Sequence, residues 1–337
     1  MKVARYWHPL EDDAVQCELC PHRCRIPSGG RSRCFGRVNH GGQLVAETWG
    51  WPVAVQVDPI EKKPLYHFLP GRWVFSLGTL GCNLSCRFCQ NWSLSHPEKP
   101  RGGAPAPVSP EDVVQAAQRA GAPMVAATYN EPAVWAEYAM DIADACHAHG
   151  LKMVAVTSGY FTPQAGRDFF AKMDAANVDL KSMRDEFYRE YCGTRLAPVL
   201  DTLKMIRQET TCWLEVTTLL IPGLNDSAAE VDELTAWVAT NLGVDTPLHF
   251  SAFHPDGQML DVPATPKAVL VRAREQARRN GLRHVYLGNI RVPDGGATWC
   301  ANCGAELIQR DGFQAQRVGM GADGRCWACG EACPGVW

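Results

Sequence analysis

Short hydrophobic runs alternate with amphipathic stretches through the middle of the chain. The runs are rich in Val, Leu and Ala, and uninterrupted apolar runs are typical of strands that a parallel sheet buries on both faces. They predict strands at Trp73–Leu80, Pro123–Tyr129, Lys152–Thr157, Asn177–Lys181, Trp213–Ile221, Leu248–Phe253 and Arg283–Leu287.

The amphipathic stretches predict helices. Ser109 is a favourable N-cap before Pro110, and Gly150 and Gly281 end two of the patterns. The predicted helices are Pro110–Ala120, Ala133–His149, Pro163–Met173, Arg184–Tyr191, Pro198–Glu209, Ser227–Asn241 and Pro266–Asn280. Regular alternation of strands and helices predicts an α/β fold with a partial or full TIM-like barrel. A doubly wound open sheet is the alternative.

This pattern divides the chain into three segments. Residues 71–293 form the predicted barrel, between a cysteine-rich module at 1–70 and a second one at 294–337. The stretch Lys99–Pro107, rich in proline, glycine and alanine, is predicted to be a loop. Polar motifs follow several of the barrel strands. Because the carboxyl ends of barrel strands meet at one mouth, we expect a single active site there.

The composition narrows the classes of function. The 337 residues are 46% hydrophobic and 20% charged, with a net charge of −3. These values are typical of a globular protein and give no global attraction to nucleic acid or to an anionic membrane. No apolar run is long enough to span a membrane, and the first residues lack the apolar core of a signal peptide. We therefore expect a cytoplasmic protein that binds neither nucleic acid nor membrane.

The cysteines indicate the chemistry of the protein, which is metal or iron–sulfur binding. Most of the 15 lie in three groups with short spacings, and in a reducing compartment such groups indicate metal or iron–sulfur ligation rather than disulfides. Cys82, Cys86 and Cys89 follow the first predicted strand in the pattern C-x3-C-x2-C. Three thiolates leave one iron of a [4Fe-4S] cluster open to a small molecule. A zinc knuckle or inert cysteines are the alternatives.

Four motifs stand out along the chain: Cys17-x2-Cys20-Pro21-His22-x-Cys24, the run Asp58–Phe68, the three-cysteine motif through Trp92, and the ending Pro334–Trp337. With these motifs, nearly the whole chain resembles the radical SAM enzyme of the AmmeMemoRadiSam system, a relative of the pyruvate formate-lyase activating enzymes. The resemblance implies that the open iron binds S-adenosylmethionine (SAM). It also implies that one electron cleaves SAM to a 5′-deoxyadenosyl radical, which abstracts hydrogen, and that Phe88 lies beside the cofactor.

The resemblance also implies SAM-binding residues at the ends of the next two strands. Thr128–Pro132 stands where the relatives carry Gly-Gly-Glu beside the SAM amino group, which points to Asn130 and Glu131. Ser158 and Gly159 resemble a turn that contacts SAM. The alternatives are an acid at a helix N-terminus and an ordinary strand-to-helix turn.

Further candidates follow the later strands. Asp179 and Lys181 resemble an Asp-Leu-Lys element, with the acid on the SAM ribose and the lysine on its carboxylate, and an ordinary ion pair is the alternative. Thr217 begins a stretch that resembles the element packed near adenine. His254 is a candidate for substrate contact or proton donation, although a structural histidine is equally compatible with its position.

Two outer cysteine groups predict further metal sites. The C-terminal group forms two C-x2-C-Gly knuckles and predicts a zinc ribbon, with an auxiliary iron–sulfur cluster as the alternative and Cys333 as an extra thiol. The N-terminal group predicts zinc or a second [4Fe-4S] cluster, with His22 as a substitute ligand or no metal at all as alternatives. The zinc-ribbon residues are Cys300, Cys303, Cys326 and Cys329, the N-terminal residues are Cys17, Cys20, Cys24 and Cys34, and the cysteines expected to be buried apolar side chains are Cys146, Cys192 and Cys212.

Three functions stay open at this point. The first is a radical SAM enzyme that uses a one-electron reductant and abstracts hydrogen from a peptide or small molecule, together with Memo-like partner proteins. The second is an activase that abstracts hydrogen from a glycine of a glycyl radical enzyme. The third is a non-catalytic metal-binding or assembly protein. The two outer cysteine modules favour the first, since a minimal activase lacks them.

Overall fold

The N-terminal part of the chain folds into two small antiparallel sheets. The computed structural model describes residues 1–98 and 106–337, so most of the predicted loop at Lys99–Pro107 lies outside the described residues. The short strands are β1 (Lys2–Val3), β2 (Trp7–Pro9), β3 (Val15–Cys17), β4 (Arg25–Ile26), β5 (Arg37–His40) and β6 (Gln43–Ala46). They pair in the orders β1-β6-β5 and β2-β3-β4.

An 8-stranded sheet forms the centre of the molecule. Its strands are β7 (Ala54–Pro59), β8 (Trp73–Gly78), β9 (Met124–Ala127), β10 (Lys152–Thr157), β11 (Ala175–Asp179), β12 (Trp213–Leu220), β13 (Leu248–Ala252) and β14 (Val285–Gly288). From β8 to β14 the strands are parallel and neighbours in chain order, while β7 pairs antiparallel with β8 at the edge. A doubly wound sheet reverses its strand order, so the alternative is excluded. The predicted TIM-like barrel is confirmed, in its open, partial form.

Helices follow the barrel strands. They are α1 (Trp92–Ser95), α2 (Pro110–Arg119), α3 (Ala136–Ala148), α4 (Pro163–Phe170), α5 (Asp185–Phe187), α6 (Ala197–Glu209), α7 (Ala228–Asn241) and α8 (Lys267–Arg279), with 3-10 turns at Ile60–Lys62 and Pro132–Trp135. Ser109 caps α2 through a capping box with Asp112. In the described part of the chain, no helix has the length and apolarity needed to cross a bilayer.

One predicted helix takes a different form. The stretch Arg184–Tyr191 is the single turn α5 followed by a π-helix at Tyr188–Cys192, which ends at the left-handed Gly193. The wider turn leaves carbonyl groups of the π-helix free to accept hydrogen bonds from another segment. Such π-helical turns occur often at functional sites.

The segment Asp58–Phe68 closes the amino-terminal end of the barrel. Leu65 and Phe68 are buried in one apolar cluster with the strand residues Val74, Met124, Ala126, Val154 and Ala175. The central sheet includes β7, so it begins before residue 71, where the sequence places the start of the barrel. With this end filled, the carboxyl ends of the strands are where a cavity can open.

The C-terminal part is a small antiparallel sheet that packs against the barrel base. Its strands are β15 (Thr298–Trp299), β16 (Glu306–Asp311) and β17 (Gln314–Arg317). Arg310 donates a hydrogen bond of 2.6 Å to the carbonyl of Tyr66. The last residues return to the barrel, where Val336 N donates to the carbonyl of His67 at 2.8 Å.

Candidate active site

A cavity of about 270 Å³ opens at the carboxyl ends of the barrel strands. It brings together most of the residues that the sequence singles out. The predicted site residues that line it are Cys82, Cys86, Phe88, Cys89, Asn130, Glu131, Ser158, Asp179, Lys181 and Thr217. Gly159 and His254 are not among the lining residues, and the imidazole Nε2 of His254, an exposed side chain, lies 3.1 Å from the carbonyl of Asn289.

The three cysteines sit in a loop, residues 81–92, held by its neighbours. Gly81 adopts a left-handed conformation with φ of 94°, and a Cβ there would lie only 2.1 Å from the carbonyl oxygen of Cys34. Ser85 N donates to the carbonyl of Cys192 at 2.8 Å, and Arg87 N donates to that of Tyr191 at 2.9 Å. The π-helix therefore supplies the acceptors that shape this cysteine loop.

The thiols differ in their acidity. The pKa of Cys86 is lowered, chiefly by a hydrogen bond with the thiol of Cys192 and also by the Lys181 cation, against the effect of burial. Burial raises the pKa of Cys82 and of Cys89. A metal centre displaces thiol protons and compensates the buried charge, so three inward thiols beside a cation fit a metal–sulfur cofactor.

Lys181 and Asp179 form an ion pair inside this site. The ammonium Nζ lies 2.8 Å from Asp179 Oδ2 and 5.9 Å from the centre of the Phe88 ring. Although burial opposes it, Asp179 and Cys86 raise the pKa of Lys181 well above its usual value. Lys181 is thus held in its protonated form beside the thiols, with Asp179 as its counter-ion.

Glu131 is a buried carboxylate at the end of β9. It accepts hydrogen bonds from Thr157 Oγ1 at 2.5 Å, Ser158 N at 2.7 Å and Ala133 N at 3.1 Å. Burial raises the pKa of Glu131 in spite of these donors. A cationic group bound in the cavity would therefore stabilise its ionised form.

Asn130 faces the cavity but uses its amide on the protein. Nδ2 donates to Gly81 O at 2.8 Å and to Thr79 Oγ1 at 3.2 Å. Oδ1 accepts from Thr79 N at 2.9 Å and from Trp135 Nε1 at 3.2 Å. With both donors and both acceptor positions occupied, Asn130 fastens the start of the cysteine loop rather than offering a free polar group.

Thr217, in contrast to Asn130, presents a polar group to the cavity. Its side-chain hydroxyl is buried, lines the cavity and has no hydrogen-bond partner among the described residues. Buried hydroxyls are normally hydrogen-bonded. The open hydroxyl, the Glu131 carboxylate and the Lys181 ammonium together fit a zwitterionic ligand with further polar groups, as SAM is.

The C-terminal cysteines form a compact group. The donor atoms of the four predicted zinc ligands all lie within 4.8 Å of one another. Cys300 Sγ is 3.6 Å from Cys329 Sγ, and Cys303 Sγ is 3.7 Å from Cys326 Sγ. Four sulfurs at this spacing fit a single tetrahedral ion.

The N-terminal cysteines lie in a module packed against the cysteine loop. His22 Nε2 is 2.7 Å from the carbonyl oxygen of Asn83, and Arg33 donates to Ser85 Oγ at 3.1 Å. Cys17, Cys20 and Cys34 are buried, and Cys24 is half-buried. Burial raises the pKa of Cys17 to about 11.

Sequence reasoning missed some members of this site. Cys146 and Cys212 are buried as expected, and so is Cys192, but its thiol contacts Cys86. Ser251, which no sequence motif marked, also lines the cavity, together with Tyr129 of the Thr128–Pro132 motif and Asn289. Asn289 has a positive φ of 58° directly after β14, and an Asn after a glycine at a strand end is the local signal that points to this mouth.

Comparison with known proteins places this site in a family. The model of the radical SAM superfamily matches residues 77–235. An uncharacterized protein of Methanocaldococcus jannaschii is 39% identical over 333 residues, which is 98% of either chain. A solved radical SAM methyltransferase from Sphaerobacter thermophilus is 16% identical and has a TM-score of 0.51, covering 65% of this chain and 67% of its own.

A second solved structure shares the fold. Streptococcus suis SuiB bound to SAM is 16% identical with a TM-score of 0.50, covering 68% of this chain and 52% of its own. The superfamily match spans the three cysteines together with Glu131, Lys181 and Thr217. The chain thus contains a radical SAM domain at residues 77–235, and over nearly its whole length it belongs to one family with the Methanocaldococcus jannaschii protein.

Proposed function

We propose that Cys82, Cys86 and Cys89 hold a [4Fe-4S] cluster and that the cavity around them binds SAM at the open iron. The radical SAM domain at residues 77–235 implies the cluster, SAM and a reductant. The observation that supports this assignment of ligands is that all three cysteines line one cavity together with Glu131 and Lys181. When bound, the cluster supplies the electron that cleaves SAM to a radical.

The residues of the chain then have distinct tasks. The Glu131 carboxylate pairs with the SAM ammonium and Lys181 with its carboxylate, so opposite charges orient the amino-acid end. Asp179 binds ribose hydroxyls, and the open hydroxyl of Thr217 donates to the nucleoside. Apolar lining residues exclude water from the reacting bond: Leu84, Phe88, Val156 and Leu219.

For the substrate we propose a peptide or small molecule that is modified together with Memo-like partner proteins. The resemblance to the AmmeMemoRadiSam enzymes supports the partners. SuiB has also been solved with its precursor peptide SuiA at the same TM-score of 0.50, so a protein of this fold can bind a peptide. Ser251 and Asn289, on the last two strands of the barrel, are placed to contact it.

The outer cysteine groups have separate tasks in this proposal. The C-terminal four bind zinc as a structural ribbon, in line with their mutual distances. The N-terminal four bind either zinc or a second [4Fe-4S] cluster. Their module contacts the cysteine loop through His22 and Arg33, so a second cluster there would stand close to the first.

Anaerobic reconstitution with iron and sulfide, followed by SAM and dithionite, tests the function. We expect 5′-deoxyadenosine and methionine, measured by mass spectrometry, and faster formation when a Memo-like protein and its substrate are added. A glycyl radical signal on adding a glycyl radical enzyme would instead support the activase. No product from protein that carries a full cluster would contradict radical SAM chemistry altogether.

Cys192 is expected to tune the cluster. Its thiol is the largest influence that lowers the pKa of Cys86, and hydrogen bonds to cluster sulfurs raise the reduction potential. The variant Cys192→Ala should therefore lower the midpoint potential in a titration followed by electron paramagnetic resonance (EPR). Cys192→Ser keeps a donor and serves as the control. Equal potentials in the alanine and serine variants would show that the hydrogen bond has no such effect.

A further inference from the structure

A buried seam between the barrel base and the C-terminal tail holds a second group of metal-binding side chains. His67 lies in the segment that closes the barrel, His284 immediately precedes β14, and Cys333 lies in the tail. One donor atom of each lies within 4.8 Å of the others. We propose that these three residues bind a zinc ion that fastens the C-terminal tail to the barrel base.

The burial of these three side chains and the type of their donor atoms are typical of a structural metal site. The exposed fractions of His67, His284 and Cys333 are 0%, 3% and 8%. His67 Nδ1 lies 3.9 Å from Cys333 Sγ. Two ligands at the usual zinc bond lengths of about 2.1 and 2.3 Å stand about 3.6 Å apart in a tetrahedral site, so a small inward movement completes the pair.

His284 carries a buried ring nitrogen whose hydrogen-bonding need the surrounding fold does not meet. Its Nε2 is buried and has no hydrogen-bond partner among the described residues, which is unfavourable for an imidazole nitrogen. Burial lowers the pKa of His284 to about 4, so the ring is neutral. A neutral imidazole is the form that binds a metal, and a bond to zinc would satisfy the open nitrogen.

The surroundings of His67 supply the support that metal-binding histidines need. Its Nε2 lies 2.5 Å from Tyr286 Oη, which lies 2.9 Å from Thr298 Oγ1. On metal binding, the Nδ1 proton moves to Nε2, which then donates to Tyr286, and the tyrosine donates to Thr298. The thiol proton of Cys333 leaves to solvent, so one proton is released per ion.

A carbonyl oxygen and a carboxylate lie beside these three residues. The carbonyl oxygen of Pro334 lies 2.6 Å from His67 Nδ1 and 3.9 Å from Cys333 Sγ, and it accepts the Nδ1 proton when no metal is bound. To act as the fourth zinc ligand it would move to about 3.4 Å from Nδ1, the spacing of two 2.1 Å ligands in a tetrahedral site. The buried Glu215 carboxylate accepts a 2.7 Å hydrogen bond from His67 N.

The position explains what the ion would do. Leu69 N and Val336 N donate to the carbonyls of Val336 and His67, so two hydrogen bonds of 2.8 Å tie the tail to this segment. The Trp337 ring lies 5.4 Å from that of His67. Zinc would add a third link between the C-terminal tail and the barrel base. The site lies at the barrel end opposite the SAM cavity and is independent of the proposed function.

Metal analysis of the full chain loaded with zinc tests this site. We expect the wild type to hold one zinc more per chain than Cys333→Ser and His284→Gln, while the ribbon zinc stays in all three. Cys146→Ala, which removes a buried thiol of α3, is the matched control and should keep the wild-type content. Equal zinc in all four proteins would overturn the proposal.

X-ray absorption at the zinc edge of the wild type keeps the test decisive if a variant fails to fold. A four-sulfur ribbon contributes sulfur scattering alone, whereas the proposed site adds imidazole scattering that His284→Gln should reduce. Sulfur scattering alone in wild-type protein with a full zinc load would exclude His67 and His284 as ligands. SAM cleavage plays no part in either measurement.

Discussion

Replacing Cys86 with alanine is expected to abolish SAM cleavage, with 5′-deoxyadenosine falling to the background of the reagents. Cys86 lines the cavity, and its pKa is lowered by the contact with Cys192 and by Lys181. A lowered pKa favours the thiolate, which is the form that binds iron. Two remaining cysteines cannot hold three irons of a cubane. The measurement is product formation by anaerobic, cofactor-loaded protein.

Metal content distinguishes this loss from general unfolding. We expect iron to fall by about four per chain in Cys86→Ala, with the zinc of the C-terminal ribbon unchanged. Cys146→Ala is again the control, because this buried cysteine lies in α3 and is not among the residues that line the cavity. Wild-type rates in Cys86→Ala would remove Cys86 from the ligand set. A fall from about eight irons per chain in the wild type to about four in the variant would also identify a second cluster at the N-terminal cysteines.

Breaking the buried ion pair of Arg37 and Glu137 is expected to cost the most stability. Arg37 Nη2 donates to both carboxylate oxygens of Glu137 at 2.8 Å, and neither side chain is exposed. Glu137 also accepts a 2.7 Å hydrogen bond from Arg5 N. The pair therefore joins the N-terminal module to α3. Glu137→Gln leaves the guanidinium charge buried without its counter-ion.

Removing one partner of such a pair typically costs about 3–5 kcal/mol. We expect a loss of this size in the free energy of unfolding of Glu137→Gln, measured in urea. Glu209→Gln breaks the exposed ion pair with Arg167 and should leave the stability unchanged, since solvent already screens that pair. Equal unfolding midpoints for the two variants would show that the buried pair does not anchor the module.

The sequence predicted the architecture because the barrel repeats a local pattern. Strands and helices leave periodic traces over a few residues, so the strand–helix alternation was readable, with shifts of one or two residues at ends such as those of β11. The carboxyl ends of parallel strands meet by geometry. Motifs at those ends could therefore be expected around one cavity, as Glu131, Lys181 and Thr217 are.

Sequence reasoning could not distinguish the residues that face a bound cofactor from the residues that hold the cysteine loop in place. Asn130 and Glu131 are neighbours in one motif, but the Asn130 amide is used by Thr79, Gly81 and Trp135. Cys192 has the composition of a buried apolar position and yet contacts Cys86. These outcomes depend on which groups lie opposite after folding, which a linear spacing does not record.

What the sequence by itself determined was the barrel class and the grouping of its cysteines, since both follow from local periodicity and short spacing. Only the tertiary structure decided how the barrel base is closed and which side chains meet there. His67, His284 and Cys333 converge from three distant parts of the chain. Their contacts arise from long-range packing between segments, and such packing leaves no periodic trace in any one of them.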